Sequence, residues 1–276
     1  MIRKIAGLAL GAALVLALAT CATTPRNDRH WFPYLAHTTH VALGADHFNV
    51  TPVTDWSYNS SGPVTQTYHD ASFDYAELRN VWFVLEPQPG SKLAAHTFLM
   101  FEFTNDRLLG VTIEARREEN EDYSAIRGAF NAYELAYIWG SARDLLTRRA
   151  VMLDHEVFVY PLAITDQQKR DLLVHLLGRT HELETTPRWY NTFTSNCTNE
   201  LAKATQLHWN AAYVLTGLSD DWLFAHHIIP GSSFEDAHRR SDVTSYVKTL
   251  NVSGANDDTS FDHALLGELR QRLGTN

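Results

Sequence analysis

A thiol, an imidazole and a carboxylate stand in this chain where a nucleophile could be assembled from them. Cys197 lies in the run Trp189-Tyr190-Asn191-Thr192-Phe193-Thr194-Ser195-Asn196-Cys197-Thr198-Asn199-Glu200-Leu201-Ala202-Lys203-Ala204. The polar, cap-forming Thr194-Ser195-Asn196 gives way to good helix formers from Glu200 on, so a helix is predicted to begin at or just before Cys197. In a first helical turn the backbone N–H groups lack intrahelical partners. The positive end of the helix dipole there favours a thiolate, the nucleophilic form of cysteine. Cys197, Leu201 and Ala204 share one helical face, which turns the sulfur inward or into a cleft. A buried, inert cysteine fits the same pattern, because free cysteine is among the most buried residue types.

The predicted base is His96. Ala94-Ala95-His96-Thr97-Phe98-Leu99-Met100-Phe101-Glu102-Phe103, a turn at Thr104-Asn105-Asp106-Arg107 and a second β-rich run from Leu108 to Arg116 make a hairpin. With the tip at 104–107, Phe103 pairs with Leu108, and counting outward sets His96 opposite Ala115 and beside Glu114. A loop one residue different brings Glu114 directly opposite His96. A carboxylate on one imidazole nitrogen would fix the tautomer and stabilise the imidazolium, leaving the other nitrogen for a thiol. The plain alternative is a histidine at a strand end with Glu114 solvated at the edge. Asn196 and Tyr190, beside the cysteine, are candidates for a further oxyanion donor.

Positioning these groups takes a folded domain. Val81-Trp82-Phe83-Val84-Leu85 reads as a buried strand closed by Pro87 and Pro89-Gly90. The stretch from Asp46 to Asp74 is turn-rich in composition, with its clearest break at Asn59-Ser60-Ser61-Gly62-Pro63. Residues 125–139 read as a helix with Ile126, Phe130, Tyr133 and Tyr137 inward, and Val151 to Tyr160 as a strand with a turn or bulge at Asp154-His155-Glu156. Thr165 and Gln168 form a capping box for a helix whose Leu172, Leu173, Leu176 and Leu177 face a core. That helix leads past Pro187 to the cysteine. Residues 260–273 read as a final amphipathic helix with Phe261, Leu265, Leu266 and Leu269 on one side. Strands and helices segregated in this way predict one α+β domain over residues 31–276.

Composition and compartment bound the function. With 276 residues, 45% of them hydrophobic, the chain can bury a core. Arg3 and Lys4 followed by the apolar run Ala6 to Ala19 read as an export signal over residues 1–20. Leu18-Ala19-Thr20-Cys21 resembles a lipobox, in which Cys21 would be lipidated; Ala17-Leu18-Ala19 also fits simple cleavage. Residues 21–30 would then be a lipid-attached or flexible tether, and Ala22 after the cysteine suits the outer membrane. Were Cys21 lipidated, Cys197 would be the sole thiol in an oxidising compartment. A net charge of −9 and basic runs no longer than pairs such as Arg116-Arg117 exclude nucleic acid as a partner. His37, His40 and His47 lack the neighbouring ligands of a recognised zinc spacing, so neither a metal nor another cofactor is expected.

The blocks Asn80-Val81-Trp82-Phe83-Val84, Ala95-His96-Thr97-Phe98-Leu99-Met100-Phe101, Gly128 through Tyr133-Glu134-Leu135, and Tyr190-Asn191-Thr192 with Asn196-Cys197-Thr198 resemble the Lnb N-terminal periplasmic domain family over roughly residues 75–205. The order of histidine strand before cysteine helix also resembles the circularly permuted papain-like (NlpC/P60-like) enzymes, which include amidases, thioesterases and acyltransferases. The resemblance implies an antiparallel sheet packed on helices, with Cys197 as nucleophile, His96 as base and Glu114 as the polar third group. The expected function is therefore that of a periplasmic cysteine-dependent hydrolase or acyltransferase acting on an amide or ester of an envelope peptide or lipid. The rival expectation is a non-catalytic envelope lipoprotein that binds or assembles.

Overall fold

Val81-Trp82-Phe83-Val84-Leu85 has no polar face to offer water and is buried along its whole length. In the computed structural model, which describes residues 24–205, 214–253 and 258–274, this run lies inside an eight-stranded sheet. The strands are β1 (His40–Leu43), β2 (His47–Asn59), β3 (Gly62–Asp74), β4 (Leu78–Pro87), β5 (Ala95–Phe103), β6 (Arg107–Arg116), β7 (Glu134–Gly140) and β8 (Phe158–Pro161). Their order is β1-β2-β7-β6-β5-β4-β8, with β3 on the other edge of β2. All pairings are antiparallel except the short parallel one between β2 and β7 at Thr54 and Gly140.

The helices are α1 (Ala125–Ala129), α2 (Ala142–Thr147), α3 (Asp166–Thr185), α4 (Cys197–Ala204), α5 (Ser219–Ala225), α6 (Phe234–Ser241), α7 (Thr244–Ser253) and α8 (Asp258–Leu273). A π-helical turn, Arg148–Met152, continues α2. Alternation along β4 and β5 sends Phe83, Leu85, Leu99 and Phe101 to one face, where α3 and α4 cover them with Leu172, Leu176 and Leu201. Trp82, Val84, Phe98 and Met100 point to the other face, against Leu145 and Leu146 of α2 and Phe261, Leu265 and Leu269 of α8. This is an α+β fold with a mixed, open sheet between helical layers.

The capping box of α3 forms as predicted, with Thr165 Oγ1 accepting from the Gln168 N–H and Gln168 Oε1 accepting from the Thr165 N–H. The expected final helix is α8, and Phe261, Leu265, Leu266 and Leu269 are all fully buried. Four expectations need correction. Residues 125–139 are not one helix. The α1 turn stops at Ala129, Asn131 takes a left-handed φ of 55°, and β7 begins at Glu134. Ile126 and Phe130 face outward, while every residue of β7 is buried because the strand lies in mid-sheet. Aromatic and β-branched residues at 137–139 favour a strand once both faces are covered. The strand expected over 151–160 shrinks to β8, since residues 148–152 take the π turn. The turn-rich stretch 46–74 is the long hairpin of β2 and β3, reversing at the Asn59–Gly62 break. The β5–β6 loop is shorter than expected, for Phe103 pairs with Arg107.

Residues 24–30 have no regular structure but are not a free tether. The Arg26 backbone N–H donates to Glu134 Oε1 at 3.1 Å, and Asn27 donates to the carbonyl oxygens of Leu183 and Glu184 at the end of α3. Residues 1–23, with the expected export signal and Cys21, lie outside the described residues.

Candidate active site

The one-residue change in the hairpin decides the site. The ladder runs Phe103 with Arg107 through Phe98 with Thr112, and two further steps set His96 opposite Glu114 rather than Ala115. His96 Nε2 lies 3.3 Å from Glu114 Oε1 and 2.6 Å from Thr112 Oγ1, and the Thr112 hydroxyl donates to Glu114 Oε1 at 2.8 Å. Thr112 and Glu114 share a face of β6 at a spacing of two, so one strand presents both groups to one ring.

Cys197 is the first residue of α4. Asn196 caps the helix, its Oδ1 accepting from the Asn199 N–H at 2.7 Å while its Nδ2 donates to the Thr192 carbonyl at 2.8 Å. The side chain of Asn196 thus shapes the turn that delivers the thiol. Leu201 and Ala204 pack into the core on the side of Cys197, as the helical spacing predicts. Thr198, the next residue, shares a 2.8 Å hydrogen bond with Thr97 of β5, which pins the start of α4 to the histidine strand.

The sulfur shares a 3.9 Å hydrogen bond with the Thr198 hydroxyl, and His96 and Thr97 are the groups whose charge and hydrogen bonding act on the thiol. Cys197 is 5% exposed, and the His96 and Glu114 side chains keep 17% and 24% of their surface. Burial alone pushes the thiol up. The His96 charge and the Thr97 bonds outweigh it and hold Cys197 at about 7. Burial likewise opposes the imidazolium, but Glu114 and then the sulfur raise His96 to about 10. Glu114 is held well below the usual carboxylate range, since His96 and Arg149 overcome its desolvation.

Tyr190 is 6% exposed, and its hydroxyl lies 3.2 Å from that of Tyr123. Both phenols are pushed up, first by burial and also by the sulfur's charge, so they stay neutral. On the other side, the Ala95 N–H donates to Thr216 Oγ1 at 2.8 Å and the Thr216 hydroxyl donates back to the Ala95 carbonyl at 2.6 Å. Gly217 allows this contact, for a Cβ there would stand 2.6 Å from the Lys92 carbonyl oxygen and 2.9 Å from the Leu93 carbonyl carbon, both backbone. Gly217→Ala is therefore expected to displace residues 92–94, cost about 1–3 kcal/mol in urea unfolding and slow labelling of Cys197. Wild-type stability in that variant would show that the segment yields freely.

Sequence reasoning missed Thr97, Thr112, Tyr123, Glu86 and Arg149. Thr112 was findable, two residues before Glu114 on a strand; Arg149, 35 residues further on, sent no local signal. The histidines first weighed for a metal are dispersed, His40 on Glu184, His37 against Tyr68 and His47 at the start of β2. Among the described residues no group of three metal-binding side chains converges. No helix among them is long and apolar enough to cross a membrane.

A family model described as the Lnb N-terminal periplasmic domain matches residues 65–222, more than half of the chain and a span that contains His96, Glu114 and Cys197. No curated protein and no solved structure matches the chain.

Proposed function

The chain belongs to the Lnb N-terminal periplasmic domain family, and on that premise we propose that it is a periplasmic thiol enzyme, cleaving or transferring the acyl group of an envelope amide or ester. The observation that carries the reading is the ion pair of His96 with Glu114 on strands β5 and β6, with the sulfur in the first turn of α4, whose start the Thr97–Thr198 hydrogen bond pins to the histidine strand, and the His96 charge lowering the thiol. With Nε2 committed to Glu114 and Thr112, Nδ1 is the ring nitrogen left for the thiol. At pH between about 7 and about 10 the resting pair is thiolate and imidazolium.

In the proposed reaction, Cys197 Sγ adds to the acyl carbon, forming a C–S bond while the carbonyl electrons move to oxygen. The first-turn N–H groups of α4 receive that oxyanion, and Tyr190 would donate as well. Collapse breaks the bond to the leaving amine or alcohol, which takes its proton from the His96 imidazolium. Neutral His96 then accepts a proton from water or an acceptor nucleophile, whose attack on the thioester frees the sulfur. Glu114 stays ionised and orients the ring. The thiol helix docked on an antiparallel strand supports a permuted papain-like core by analogy. The lipobox pattern at Cys21 supports a lipid anchor at the outer membrane.

Alkylation by iodoacetamide across pH tests the reading. A raised imidazolium lowers the thiol, so labelling of Cys197 is expected to rise with a midpoint near 7 and to be complete before an ordinary cysteine, near 9.0, begins. Incubation with envelope extract should leave an acyl mass on Cys197. An unreactive thiol that carries no adduct would favour a binding or assembly module instead.

A further inference from the structure

Behind the thiol row lies a second, fully buried set of charges. Arg149 is 2% exposed and Glu86 3%, and they form an ion pair with Nε 2.8 Å from Oε2. Glu86 stands directly across from His96 in the β4–β5 ladder, so His96 has a carboxylate on each neighbouring strand. Arg149 Nη2 donates to Thr112 Oγ1 at 3.3 Å and Glu114 Oε1 at 3.4 Å, and its Nη1 donates to the Leu145 carbonyl at 2.8 Å. Its guanidinium lies 4.4 Å over the Phe98 ring, the ring on which His96 stacks. His155 Nδ1 closes the row 2.5 Å from Glu86 Oε1.

The signs alternate from the sulfur inward, through His96, Glu114, Arg149 and Glu86. A buried arginine is retained at this depth by its partners, since loss of one partner leaves a charge uncompensated. The π-helical turn places it, for Arg149 follows Arg148 in the chain, yet Arg148 lies over the Tyr34 ring while Arg149 points into the site.

Resting on the thiol reading above, we propose that Arg149 and Glu86 are positioning residues of the site. The guanidinium holds Glu114 against His96, and Glu86 sets how much of that positive charge the sulfur feels. The groups that face the pair are Glu114 from β6, Glu86 from β4 with His155 on its other oxygen, and the π-turn Arg149, and the sulfur's charge also acts on Tyr190 and Tyr123. The charges of Tyr34 and Asp144 also act on Arg149.

The signs of the two charges make the test. Loss of the Arg149 cation disfavours the thiolate, whereas loss of the Glu86 anion favours it. In iodoacetamide labelling of the full chain, Arg149→Gln is expected to move the Cys197 midpoint up and Glu86→Gln to move it down, each by about half a unit or more. The double variant restores the net charge and should return the midpoint to within a few tenths of wild type. A merely structural role would reduce labelling without opposed shifts. Midpoints that stay put or move together, while the wild-type midpoint remains near 7, would overturn the inference and leave the thiol reading standing. A wild-type midpoint of an ordinary thiol would overturn both. If Arg149→Gln fails to fold, the isosteric Glu86→Gln carries the test alone, and an unmoved or raised midpoint refutes the proposal.

Discussion

His96→Ala is expected to slow alkylation of Cys197 at pH 7 by about fiftyfold. In the wild type the imidazolium and the Thr97 bonds offset burial and hold the thiol at about 7, so roughly half of it is thiolate at that pH. Without the ring, burial dominates and the thiol returns to its ordinary 9.0 or above, leaving about 1% thiolate. Initial rates of iodoacetamide labelling, with Cys197→Ser as the blank, measure the difference. The ratio should shrink toward unity as pH approaches 10, because both proteins are then ionised. Glu114→Gln keeps the imidazole and should cost less, about tenfold. A His96→Ala rate within twofold of wild type at pH 7 would remove the histidine from the proposed mechanism.

Trp139→Ala is expected to lower stability by about 3–5 kcal/mol, the range for truncating a large buried aromatic side chain. Trp139 is fully buried in β7, with its ring 6.2 Å from that of Phe101 and its Nε1–H donating to Thr180 Oγ1 at 2.9 Å. The truncation opens a cavity between the sheet and α3 and leaves the Thr180 hydroxyl without that partner. Ile126→Ala, at a position 75% exposed, should change stability by less than about 0.5 kcal/mol. Urea unfolding of the two variants separates the observed arrangement from a continuous helix over 125–139, in which Ile126 would be a core residue. A large loss at Ile126 would contradict β7 and α1 as described.

That pair of residues shows where sequence reasoning stops. Residues 125–139 carry apolar side chains at helical spacing, but Gly128 lies against Tyr190 and Thr192, where a Cβ would meet Thr192 Oγ1 at 2.6 Å. The helix ends, Asn131 turns the chain, and Glu134–Gly140 is taken up between β2 and β6. A strand covered on both faces loses the alternation that marks strands, so periodicity could not separate it from a helix. The register of the β5–β6 hairpin was undetermined for another reason. A loop of three or four residues reads alike in sequence, yet the choice turns every side chain of β6 to the opposite face.

By itself the sequence determined the elements whose signals are local. The cap before Cys197, the capping box of α3, the core-facing leucines and the hairpin carrying His96 each depend on residues a few positions apart. Only tertiary structure decided that Glu114 faces His96, that Thr97 meets Thr198 beside the sulfur, and that Arg149 and Glu86 lie behind them. Those meetings join residues drawn from across more than a hundred positions. They are set by strand register, a π turn and the burial of opposite charges together, none of which leaves a periodic trace in the chain.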